Sequence, residues 1–125
     1  MKLLFIADPL EAFAIYKDTT FSMMREAQQR GHQIAACQPQ DVMWERGGPV
    51  QAQVRDITLT GQPQDWFSVQ QERMAALAEF DAVLMRKDPP FDSEYFYATH
   101  LLEPAERDGA RVFHKPRALR AHPEQ

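Results

Sequence analysis

The chain's densest run of chemically capable side chains lies in LMRKDPPFDSEYFYATHLLE, residues 84–103. An apolar stretch ends at Met85, and Arg86, Lys87, Asp88, Pro89, Pro90, Phe91 and Asp92 follow at once. Packing alone does not select two cations, two carboxylates and a Pro-Pro step. Each proline fixes its own φ and restricts the residue before it, so the charges sit on an extended stem. Such a stem has little entropy left to lose when a ligand arrives. The chemistry open to it is non-covalent: Arg86 and Asp88 presented to a ligand. The same two residues would also suit a solvated loop, and both readings stand for them. Asp92 or Ser93 reads as the N-cap of a following helix, with Glu94 set against its dipole.

Bond-making chemistry is poorly supplied elsewhere. The single cysteine, Cys37 in QIAACQP, has no nearby histidine or carboxylate to activate it and reads as a buried, inert thiol. One cysteine excludes an internal disulfide and fits a reducing cytoplasm. His32, His100, His114 and His122 lack metal-ligand spacing. No G-x-S-x-G surrounds Ser22, Ser68 or Ser93, and neither G-x-G-x-x-G nor G-x-x-x-x-G-K-[ST] occurs. The net charge of −4 comes from interspersed signs, so no basic face points to nucleic acid. Apolar runs are too short to span a membrane, and LLFIA after Met1-Lys2 is too short for a signal peptide.

The elements that must position these residues follow from periodicity. A length of 125 residues suits one domain with one core. KLLFIA (2–7), QIAAC (33–37), DAVLMR (81–86) and RVFH (111–114) read as buried strands. TTFSMMREAQQRG (19–31) reads as a helix with Phe21, Met24 and Ala27 inward, Asp18 or Thr19 at its start and Gly31 as its C-terminal cap. Gly47-Gly48 between two runs in 41–60 predicts an inserted β-hairpin, with Val54, Ile57 and Leu59 alternating imperfectly. Residues 64–80 read as a loop anchored by Trp66 and Phe67, then a helix. Residues 93–109 read as a helix with Tyr97, Ala98, Leu101, Leu102 and Ala105 on one stripe, kinked or shortened by Pro104. Strand–helix–strand alternation with short links predicts an α/β fold, an open parallel sheet flanked by helices. Ligands of such sheets collect beyond the carboxyl ends of the strands, where Asp8-Pro9, Cys37, Arg86–Pro90 and His114–Pro116 lie.

MRKDPPFD (85–92) with YATHLLE (97–103) resembles the signature of the N-terminal domain of bacterial glutathione synthetase. DP (8–9), KDTTFSMMREAQQRG (17–31), DWFS (65–68) and KPRALR (115–120) resemble that domain in the same order. The likeness covers nearly the whole chain and is weakest in the hairpin region. It implies a Rossmann-like pre-ATP-grasp domain, standing before an ATP-grasp module that this chain lacks. It also implies, for the complete enzyme, ligation of γ-glutamylcysteine to glycine with ATP and Mg2+ through an acyl phosphate. The substrate dipeptide would then bring two carboxylates and an ammonium, which Arg86 and Asp88 suit as partners. Lys17, Thr19 and Thr20, at a helix start whose amides favour an anion, would join them, although both threonines equally suit capping. Asp8 is expected to shape the turn with Pro9, and Tyr97 and Phe91 to pack.

On this reading the chain is a fragment ending at Gln125, without a cofactor of its own and inactive alone. Its partners would be the dipeptide and the missing ATP-grasp domain, with no nucleic acid or membrane and with a homo-oligomer left open. A non-catalytic interaction module is the alternative. A receiver-like phosphoacceptor domain fits worse, because it needs an acid pair after its first strand and Asp8 is followed by Pro9.

Overall fold

Strand β1 (Lys2–Ile6) occupies the middle of the sheet because its sequence can be buried on both faces. Leu4, Phe5, Ile6 and Ala7 are each at most 1% exposed. The computed structural model describes residues 1–13, 19–44, 47–62, 64–87 and 93–114, without the side chains of Glu94 and His114. After β1 come α1 (Thr19–Gln29), β2 (Gln33–Cys37), β3 (Val42–Trp44) and β4 (Val50–Leu59). They are followed by β5 (Phe67–Ala76), β6 (Ala82–Met85), α2 (Ser93–Arg107) and β7 (Val112–His114). Strands β2, β1, β6 and β7 lie side by side and parallel, as the alternation predicts. Short 3-10 turns at Leu10–Ala12, Pro39–Asp41 and Leu77–Glu79 complete the described elements.

One helix covers each face. Leu4, Ile6, Ala35, Val83 and Met85 share a core with Ala98, Leu101, Leu102 and Ala105 of α2. Phe5, Ile34 and Ala36 share the other with Met24 and Ala27 of α1. At the end of α1, Gly31 takes φ 86°, where its N–H reaches Gln28 O at 2.9 Å and the His32 N–H reaches Ala27 O at 3.0 Å. That double closure is the glycine-capped helix end expected from the sequence.

The expected hairpin is present as β3 and β4, paired antiparallel with Gly47 at φ 84° between them. Its imperfect alternation has a physical cause. The first half of β4 sends Val50, Ala52 and Val54 into the α2-side core, whereas Ile57 and Leu59 pack on the α1 side. The hairpin also joins the main sheet, since β4 pairs antiparallel with β2.

Two expectations are corrected. Residues 67–76 form a strand, not a helix: β5 pairs with β4 along its whole length, with an irregularity at Asp56/Ile57. The partner strand overrides the helix propensity of QQERMAA. Along β5 most side chains are exposed, and Arg73 ties it down by bridging Asp56 at 2.8 Å and Glu79 at 2.9 Å. Burial draws the Asp56 carboxyl upward, but hydrogen bonds from Arg73 and Gln71 outweigh it and leave its pKa below the ordinary value. Tyr97 does not pack. It is 57% exposed, while Tyr95, three residues before Ala98, takes the core position at 4%. Helix α2 contains Pro104 and ends at Arg107, two residues before the expected end at 109. Among the described residues, no helix is long and apolar enough to cross a membrane.

Candidate functional site

The connection from β1 through α1 leads to β2 on one side of β1, whereas β6 lies on its other side and leads through α2 to β7. The strand order therefore reverses between β1 and β6. In open α/β sheets the crevice beyond the strand ends at that reversal is where ligands bind. Asp8 follows β1 there, and Arg86 and Lys87 follow β6.

Backbone and side chains lock these residues together. The Arg86 N–H donates to Ile6 O at 2.7 Å, carrying the β1–β6 ladder one step past Met85. Arg86 Nε donates to Thr20 Oγ1 at 3.3 Å, and Thr20, in the first turn of α1, is only 2% exposed. Lys87 Nζ meets Asp8 Oδ1 at 2.8 Å, with both side chains largely withdrawn from solvent. Beside this cluster, at the carboxyl end of β2, a cleft of about 330 Å³ is lined by Asp8, Glu11, Gln38, Asp41, Arg55 and Glu72. Arg55 pairs with Glu11 at 3.2 Å. A backbone hydrogen bond and then Arg55 hold the Glu11 carboxyl below its ordinary pKa.

Of the five residues expected to bind substrate, the structure brings Arg86 and Thr20 into contact across 66 positions of chain. Thr19 opens α1 and is exposed. Lys17 and Asp88 lie outside the described residues, as do Asp18, Phe91, Asp92 and residues 115–125. Sequence reasoning missed Lys87 as a member of the cluster and assigned Asp8 only to its turn. The missing signal was the adjacency of β1 and β6, which no local pattern encodes.

Cys37 lines the same edge but is 7% exposed, and burial first, then the charge of Asp41, pushes its thiol pKa up. A thiol held protonated is neither nucleophile nor ligand. We expect a colorimetric thiol reagent to label it only after denaturation; rapid labelling of the folded chain would contradict its burial.

Among the described residues, no group of three or more His, Cys, Asp or Glu side chains is placed to hold a metal. The glycines with positive φ fall at helix ends (Gly31, Gly109) or strand-to-strand turns (Gly47, Gly61), not in a strand-to-helix loop around a phosphate.

Residues 1–120 match the family described as prokaryotic glutathione synthetase, N-terminal domain. The chain is 54% identical over all its 125 residues to the glutathione synthetase of Ralstonia nicotianae, of which it covers 38%. It is 47% identical to that of Nitrosomonas europaea, with all of the chain aligned to 40% of the relative. Against the glutathione synthetase of Vibrio parahaemolyticus the identity is 44%, over 96% of the chain and 38% of the relative. The chain thus spans about two fifths of the length of these curated relatives.

Proposed function

Because the chain belongs to the family of prokaryotic glutathione synthetase N-terminal domains, we propose that it is the substrate-presenting front domain of such an enzyme. The complete ligase would join γ-glutamylcysteine to glycine with ATP and Mg2+ in the cytoplasm. Residues 1–125 would form one pre-ATP-grasp domain, and an ATP-grasp domain would supply the nucleotide and metal chemistry. This domain's task is then to bind and orient the dipeptide.

The observation that carries the reading is Arg86, fixed at the β1/β6 reversal by Ile6 and Thr20. A planar guanidinium matches a carboxylate with two parallel N–H bonds. Thr20, expected with it to bind substrate, supports the reading as the acceptor of the Arg86 Nε–H. Asp88 would meet the dipeptide's ammonium, and Lys17 and Thr19 at the start of α1 would add to the anion site.

Arg86→Lys in the full-length protein tests this. Lysine keeps the charge but loses both the planar fork and the Nε–H that reaches Thr20. The KM for γ-glutamylcysteine should rise by the equivalent of about 1–3 kcal/mol, the scale of a charge-assisted hydrogen bond. The KM for ATP should barely change. If the dipeptide KM stays put while the melting temperature drops, Arg86 is structural and the reading fails.

A further inference from the structure

We infer that Asp8 is a positioning residue for this site and acts through Lys87. The pair lies directly beyond the last β1–β6 backbone bond, where the chain leaving β6 would otherwise be free to swing. Arg86 is thereby fixed at three points: its N–H on Ile6, its Nε–H on Thr20, and the ammonium of the next residue on Asp8. The side chains of Lys87 and Asp8 are 15% and 27% exposed, so their attraction is screened less than that of a surface pair. Asp8, two positions past Ile6, brings its carboxylate to the Lys87 ammonium from the neighbouring strand exit. Turn-shaping with Pro9 asks for no such partner on a neighbouring strand.

The inference rests on the reading of Arg86 above, and the two are separated in one assay on the full-length protein. Asp8→Asn keeps shape and turn propensity but removes the charge. It should raise the KM for γ-glutamylcysteine about tenfold, the scale of one charge-assisted hydrogen bond, while kcat and the KM for ATP stay within about twofold. The charge-exchanged double variant, Asp8→Lys with Lys87→Asp, should recover part of that loss. A role limited to the turn would instead lower the melting temperature and leave the dipeptide KM unchanged, and that result overturns the inference. So does a folded double variant that recovers nothing. If Arg86→Lys raises the KM and Asp8→Asn does not, only the positioning role falls; if neither moves it, the substrate reading falls as well.

Discussion

Val83→Asp should leave the chain unfolded at room temperature. Val83 is 0% exposed, sits in β6 opposite Leu4 of β1 and Val112 of β7, and faces the core beneath α2. Its neighbours in that core are aliphatic and aromatic, so a carboxylate there would find neither water nor a cation. Burying an unpaired charge costs several kcal/mol at least, against a total stability of about 5–15 kcal/mol for an ordinary domain. Val83→Thr separates charge from shape: it replaces one methyl by a hydroxyl at nearly the same volume and should cost about 1–3 kcal/mol while leaving a folded chain. Val69→Asp is the opposite control. Val69 lies on the edge strand β5 and is 39% exposed, so its substitution should fall within about 1 kcal/mol. Far-ultraviolet circular dichroism and denaturant titration of the three variants decide the matter. A cooperative transition for Val83→Asp near that of the parent would mean that β6 is not the buried strand described.

The parallel half of the sheet was legible because doubly covered strands need continuous apolar runs, and KLLFIA and DAVLMR have them. Strand β5 was not. Its sequence is rich in Gln, Glu, Arg, Met and Ala, which favour helix in isolation. Only Ala75 is fully buried within it, so period-two burial never appears as apolar alternation. What makes it a strand is β4 alongside, a non-local partner. The Tyr97 error is different in kind. Tyr95, Ala98, Leu102 and Ala105 are spaced by three or four residues and form a true stripe, whereas Tyr97 is adjacent to Ala98 and so about 100° away around the helix.

The site divides the same way. Arg86 was legible because a strand exit followed by charges and two prolines is a local pattern. Its contact with Thr20 and the pairing of Lys87 with Asp8 depend on which strands are neighbours. Those links span 66 positions for the first and 79 for the second, and only the strand order brings them together. Thr20 shows how a local rule can miss a long-range contact. A threonine in the first turn of a helix suggests capping or an anion site, yet its hydroxyl accepts the guanidinium of Arg86.

Trp66→Ala should be among the costliest truncations on the α1-covered face of the sheet. Trp66 is 7% exposed and touches three aromatic rings from three separate parts of the chain. Phe13 stacks on it at 5.3 Å and 21°, Phe21 of α1 meets it edge-on at 5.2 Å, and Phe67 at 4.8 Å. Its carbonyl accepts from Thr60 at 3.0 Å, closing the turn between β4 and β5. Truncating a buried tryptophan costs about 3–5 kcal/mol through lost transfer energy and the cavity left behind. Here one deletion also removes three aromatic pairs worth about 0.5–1.5 kcal/mol each beyond their burial, so the upper part of that range is expected. Trp66→Phe keeps a ring in the cluster and should lose less than half as much. The consequence reaches the candidate site, because Phe21 adjoins Thr20, the residue that holds Arg86. Urea unfolding of the two variants gives the energies, and the dipeptide KM of the full-length Trp66→Phe protein, which stays folded, reads the coupling. Equal, small losses for alanine and phenylalanine would show that the turn holds without the cluster. In that case the first turn of α1 owes its place to the sheet alone.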